Sequence, residues 1–329
     1  MFLRKLKSTG PDVIVLIFII MVLLWIGPIL HPELPSSMNF DERPMPLFSL
    51  LLNIAGQSAL FSVLITFVLV LLVAFLLVNF NTSDIFISER TFLPAFIYVL
   101  LSGFFPEQQI LNPALPAAIF LILAIRKIMD SYKVQYTAYS FFDAGLLFGC
   151  GGLFYANFIW FSLLMLIGIV LIRAVKFREI IISIVGLATP WFITFGFYYV
   201  TGNDLSVLLS DLKFNLFADT ENFRQPVFTI AALIILGVII LMCVAYLFSV
   251  INTKKIKARK TFLLLIWSFL ISSCVSLLIH PRSGEIFWLA GVTVAYLISH
   301  YLVFARKRMI SQIVFSIIVI MAAALQIAS

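Results

Sequence analysis

Charge is what this chain has least of. Only 11% of its 329 residues are Asp, Glu, Lys or Arg, while 63% are hydrophobic. A soluble domain carries about 25% charge and about 45–50% apolar residues, so too little polar surface exists here to coat a water-soluble fold. Cysteine is scarce as well: Cys150, Cys243 and Cys274 all lie inside apolar runs. None has a C-x-x-C or Cys/His neighbour at metal spacing. They read as small packing residues, and no disulfide framework is supported. The Gly-rich phosphate loop, H-E-x-x-H, G-x-S-x-G and the dinucleotide fingerprint are absent too.

What is present is apolar sequence from end to end, with a mean hydropathy of +1.14. One crossing of the hydrocarbon takes about 20 helical residues. The blocks at 13–30, 57–78, 91–105, 111–125, 137–154, 157–172, 180–199, 226–251, 261–278, 286–304 and 309–327 predict an all-α integral membrane protein. It would have about 11 transmembrane helices in a single polytopic domain over 1–329, with no soluble domain. The Arg4-Lys5-Lys7 start resembles a signal peptide, but the apolar run after it is too long and lacks a cleavage site. It reads as a retained first span.

The 22 Lys and Arg against 15 Asp and Glu leave a net charge of +7. In a soluble protein that excess suggests nucleic acid. Here the cations cluster at helix ends, as membrane insertion requires, and no nucleic-acid partner is expected. With the N-terminus cytoplasmic, all basic residues except Arg43, Lys213, Arg224 and Arg282 fall on the inner side, and the C-terminus ends outside. Nine carboxylates, among them Asp41, Glu42, Asp204, Asp211 and Glu285, fall outside. They are either ordinary surface polarity or part of an outer-face site.

Two outer segments are long enough to fold on themselves. The first outer loop turns apolar at Pro46 to Leu52, and the fourth spaces Leu205, Leu208, Leu209 and Leu212 near helical period. Both predict interfacial helices. The short spans at 91–105 and 111–125 are joined by a tight hairpin at Phe105 to Gln109. Asp143, near the start of the fifth span, reads as a helix cap. Gly149-Cys150-Gly151-Gly152 reads as close helix packing, and His300 as an interfacial residue.

Two polar clusters could carry chemistry. Asp41 and Glu42, in Asn39-Phe40-Asp41-Glu42-Arg43, could serve as general base or metal ligands, or could only cap the helix that follows. In His280-Pro281-Arg282-Ser283-Gly284-Glu285, the Arg282 fork suits a phosphate or carboxylate, or simply lies among lipid headgroups.

This layout resembles the GT-C superfamily of polytopic glycosyltransferases, which take sugars from polyprenyl-phosphate carriers. The matching pieces are the acidic Phe40-Asp41-Glu42, the surface helix from Pro46, the paired short spans, and the structured loop Thr201 to Gln225. Phe142-Asp143-Ala144-Gly145-Leu146-Leu147-Phe148-Gly149 is similar to the A-G-L-L-x-G start of that superfamily's fifth span, and His280-Pro281-Arg282 to its late outer turn. The resemblance implies Asp41 as base or metal-linked carboxylate with Glu42 assisting, a divalent cation as cofactor, and His280, Arg282 and Arg43 on the carrier phosphate. It places the reaction on polyprenyl-linked glycans at the outer face of a bacterial inner membrane, with segments 31–56 and 201–225 on one side. The chain departs from the superfamily in its smaller size, in lacking a soluble outer domain, and in following the acidic pair with Arg43-Pro44. It also resembles an uncharacterised family of bacterial inner-membrane proteins. The competing reading is a non-catalytic scaffold subunit with a protein partner in the membrane. A transporter is disfavoured by the lack of ionisable residues at mid-membrane depth.

Overall fold

The computed structural model describes residues 6, 10–35, 43–56, 58–84, 86–87, 90–132, 138–172, 177–217, 227–278, 284–305 and 307–328. Among them there is no strand, and the protein is an all-α membrane protein. The helices in chain order are α1 (Pro11–Leu24), α2 (Ile26–Leu30), α3 (Pro46–Ala55), α4 (Ala59–Asp84), α5 (Leu93–Ser102), α6 (Ala114–Asp130) and α7 (Ala138–Gly152). They continue with α8 (Leu163–Ile172), α9 (Phe177–Thr201), α10 (Leu205–Phe217), α11 (Val227–Val250), α12 (Ile256–Leu278), α13 (Ile286–Phe304) and α14 (Arg308–Ala328). Short 3-10 turns stand at Pro106–Gln108, Ala156–Ser162 and Ile251–Thr253. Each hydrophobic block is therefore helical, and both expected loop helices form, as α3 and α10.

Among the described residues six helices, α4, α9, α11, α12, α13 and α14, are long and apolar enough to cross a bilayer. The first block is divided for a local reason. The first block breaks at Trp25 because Pro28 has no N–H to give the Leu24 carbonyl. The Gln109 side chain fills that vacancy, its Nε2 donating to Leu24 O at 3.3 Å and to Ser102 O at 3.1 Å. From the far end of the chain Gln326 Nε2 donates to Gln109 Oε1 at 3.1 Å and to Gly103 O at 3.0 Å. The hairpin after α5 thus ties α1 to α14.

The interior is organised around α13, buried along nearly its whole length, and α5, buried at every residue. A ten-residue helix reaches about 15 Å, half the hydrocarbon thickness. Such a piece is tolerated where protein rather than lipid surrounds it. Tyrosine hydroxyls satisfy backbone carbonyls across this core: Tyr296 donates to Leu77 O at 2.7 Å and Tyr246 to Phe304 O at 2.6 Å.

The tightest helix pair is α7 on α9. A Cβ at Gly145 would overlap the Ser183 carbonyl and stand 2.9 Å from Leu187 N, and one at Gly149 would stand 2.5 Å from Leu187 O. Facing them, a Cβ at Gly186 would overlap the Phe142 carbonyl. Glycines one turn apart let two backbones touch, as small residues do between membrane helices. The packing reading of the glycine-rich run holds at Gly149 and Gly152, which face Leu187, Pro190 and Trp191 of α9, and Gly145 and Gly186 extend the same seam.

Three readings change. Asp143 lies inside α7 rather than capping it: its Oδ2 accepts from Lys127 Nζ at 2.8 Å. The α6 cation sits one helix away in space, and Asp143 lies past the free N–H groups of the first turn of α7. His300 is completely buried, with ring centroids of Phe262 and Phe304 at 4.8 and 5.1 Å, rather than exposed at an interface. Cys243 is a buried packing residue, but Cys274 is exposed on α12.

Candidate functional site

The chain that leaves the first loop docks on α10 through Arg43. Asp211, Phe214 and Asn215 stand three and four residues apart, so they share one face of α10, and Arg43 meets all three. Its Nη1 donates to Asp211 Oδ1 at 2.8 Å, and its guanidinium carbon lies 4.4 Å from the Phe214 ring centroid. Its carbonyl accepts from Asn215 Nδ2 at 2.6 Å. Asn157, in the 3-10 turn after α7, extends the chain of contacts by donating from Nδ2 to Asn215 O at 3.3 Å.

An apolar floor lies beneath. Met45 packs with Leu153, Ala156, Trp191 and Leu208, and Leu47 N–H donates to Leu153 O at 3.0 Å. These contacts bring 43–55 and 205–217 together, the described parts of the two segments, 31–56 and 201–225, that the layout expects on one side. Two buried polar atoms nearby, Trp191 Nε1 and Asn215 Oδ1, have no hydrogen-bond partner among the described residues. Native interiors leave few such atoms unexplained.

At its N-terminus α10 carries its own cap. Asp204 Oδ1 accepts from Ser206 N–H at 2.9 Å, the geometry of an N-cap carboxylate. Hydrogen bonds from the Ser206 side chain and backbone hold the Asp204 carboxyl below its ordinary pKa.

The second predicted cluster enters from the start of α13. Gly284 lies against the α5–α6 hairpin, where an added Cβ would stand 3.4 Å from Gln108 Cγ, and Glu285 is fully buried beside it. Between this hairpin and the α10 dock runs α3. Its Phe48 and Ala55 pack on Leu111, just past the hairpin, with Phe154 beside them. α3 thus touches both the Arg43 dock at its start and the residue that follows the hairpin.

Of those residues, Arg43 is placed; Asp41, Glu42, His280 and Arg282 lie outside the described residues. Among the described residues no three His, Cys, Asp or Glu side chains gather as a metal site requires. Asp211, the carboxylate beside Arg43, is committed to that arginine. The divalent-cation reading rests on Asp41 and Glu42 alone. Sequence reasoning missed Asp211, Asn215 and Asn157 as site residues. The spacing of the first with Phe214 and Asn215 was the available signal, but nothing local says that this face of α10 receives Arg43.

No curated protein and no solved structure matches the chain. One family profile does, over residues 45–327, which is most of the sequence and includes α3, α10 and every helix between and after them. The chain belongs to DUF6427, a family of unknown function.

Proposed function

We propose that this protein is a GT-C-like membrane protein that acts on polyprenyl-phosphate-linked glycans at the outer face of a bacterial inner membrane. The observation that supports it is the docking of Arg43 on α10, which anchors the chain immediately after Asp41 and Glu42 over a patch with unpartnered buried polar atoms. In this reading the chain crosses the membrane eleven times, N-terminus inside and C-terminus outside, with α3 and α10 at the outer interface. Fully buried α5 completes its crossing inside the bundle. Asp41 takes the proton of an acceptor hydroxyl, with Glu42 assisting, while Arg282 and His280 hold the carrier phosphate. Arg43 orients the acidic pair through its hold on Asp211 and offers its remaining guanidinium N–H groups to the phosphate. A divalent cation held by Asp41 and Glu42 would stabilise charge on the leaving phosphate.

The test is complementation of a deletion strain by Asp41→Asn, with membrane abundance measured in parallel. Loss of a general base costs about 10²–10⁴-fold in rate, so complementation should fail at normal abundance. Full complementation by the Asn variant sinks the enzyme reading. Thiol labelling from outside tests the orientation: Lys213→Cys, on the exposed side of α10, should label and Lys255→Cys should not.

A scaffold subunit is the second reading, and in it the outward face of α9 meets the partner. Phe192, Phe197, Tyr199 and Val200 project from α9 at 78, 62, 79 and 83% exposure, a face that lipid or another chain must cover. Full complementation by Asp41→Asn together with a co-purifying membrane partner would establish it.

A further inference from the structure

Four of the candidate spans, α11 to α14, are joined pairwise by two short turns. The first turn and the start of α12 carry Lys254, Lys255, Lys257, Arg259 and Lys260 within seven residues; the second turn and the start of α14 carry Lys307 and Arg308. The structure sets these turns side by side. Lys254 Nζ lies 3.5 Å from the centroid of the Phe304 ring, the last residue of α13, and Tyr246 near the end of α11 donates to Phe304 O. Because each turn joins two spans, both lie at the same bilayer surface.

The resulting patch is basic. Lys255, Lys307 and Arg308 are exposed and Arg259 is half-buried, and among the described residues none of the four forms an ion pair. No acidic residue stands in the first turn of α12 or α14. Lys260 is fixed from below, its Nζ donating to Ile172 O at 3.0 Å. Next to the charges are apolar side chains that face outward: Ile256 is 52% exposed and Met309 76%. Cations from two adjoining turns at the membrane edge, with bare apolar side chains next to them in the chain, match one chemical partner. That partner has an anionic headgroup and an acyl chain.

We propose that the junction of the α11–α12 and α13–α14 turns is a binding site for an anionic phospholipid, its phosphate held by Lys255, Arg259, Lys307 and Arg308 and its acyl chain lying on Ile256 and Met309. Insertion bias accounts for cations on one side of the membrane. It does not require that two separate turns converge, nor that Phe304 fix Lys254 between them. The site is independent of the glycosyltransferase reading and stands or falls without it.

The test uses the full-length protein in nanodiscs of phosphatidylglycerol and phosphatidylcholine in equal parts, with bound lipid counted by native mass spectrometry after release. Wild type should retain phosphatidylglycerol in preference to phosphatidylcholine. A variant with Lys255→Gln, Arg259→Gln, Lys307→Gln and Arg308→Gln should lose that preference by at least tenfold, since each cation near an anionic surface is worth about fivefold. An unchanged preference in the folded variant overturns the proposal. So does displacement of the lipid by inorganic phosphate at millimolar concentration, which would mark a site for free anions. Because removing four cations can disturb insertion, a second measurement leaves them in place. A photo-crosslinking residue at Met309 should capture phosphatidylglycerol above its share of the bilayer, whereas one at Phe192 should capture lipid in proportion. Proportional capture at both positions overturns the proposal.

Discussion

Arg43 and Asp211, 168 positions apart, form an ion pair of 2.8 Å that joins the start of α3 to the middle of α10. Both side chains are partly exposed, at 45 and 24%, so water screens much of the attraction. Pairs of this kind contribute up to about 1 kcal/mol. The deeper contact is the one between Asn215 Nδ2 and the Arg43 carbonyl, because Asn215 is 2% exposed. The ion pair selects the register, and the buried amide holds it.

That division of labour predicts unequal costs. Asp211→Ala should lower stability by less than about 1 kcal/mol. Asn215→Leu keeps the volume but leaves the Arg43 carbonyl without its donor, and should cost about 1–3 kcal/mol. Thermal unfolding in detergent, compared with wild type, checks the order. If Asp211→Ala proves the costlier, the docking energy resides in the ion pair rather than in the buried amide.

The α7–α9 seam makes a prediction with internal controls. A methyl at Gly186 meets the Phe142 backbone, which cannot swing away as a side-chain tip would. Gly186→Ala should therefore cost about 1–3 kcal/mol through overpacking. Gly196→Ala and Gly237→Ala, where an added Cβ has nothing within 4 Å, should be neutral or gain up to about 1 kcal/mol from helix propensity. Equal effects at all three positions, read from unfolding midpoints, would mean that the two backbones of the seam do not touch.

Asp204 carries a pH dependence whose sign follows from its hydrogen bonds. The Ser206 donors favour the carboxylate and lower its pKa in the folded protein. Its contribution is therefore full above the ordinary carboxylate pKa and is lost as pH falls through the lowered folded value. A spin label at Lys213→Cys should become more mobile between neutral and strongly acidic pH as α10 loosens. Asn caps nearly as well as Asp without titrating, so Asp204→Asn should reduce that response. The two proteins differ at that one position. The difference between them isolates Asp204, and no difference would mean that the cap does not hold α10.

Local structure is largely legible in the sequence. Pro46 to Ala55 and Leu205 to Phe217 are helices for reasons contained in their own apolar spacing and in the Asp204 cap. Legibility stops where a residue's role depends on a neighbour from elsewhere in the chain. Asp143 looks like a cap when only its own helix is considered; Lys127, brought in by α6, gives it an ion-pair role instead. His300 looks interfacial from its place near a helix end, yet the aromatic rings of Tyr246, Phe262 and Phe304 enclose it.

By itself, then, the sequence determined the solvent and the elements. A chain with so few charges must live in lipid, and lipid obliges the backbone to satisfy itself within helices, which makes each hydrophobic block a helix whatever surrounds it. Pro28 likewise dictates that the first helix break, since a missing N–H is a local fact. Only the tertiary structure decided who repairs the break, with Gln109 donating to Leu24 and Gln326 to Gln109. The same holds for the face of α10 that receives Arg43, and for the two basic turns lying together around Phe304. Helix formation depends on bonds four residues apart, whereas these pairings depend on which helices pack against one another, and apolar periodicity carries almost no information about that when every face of a helix is apolar.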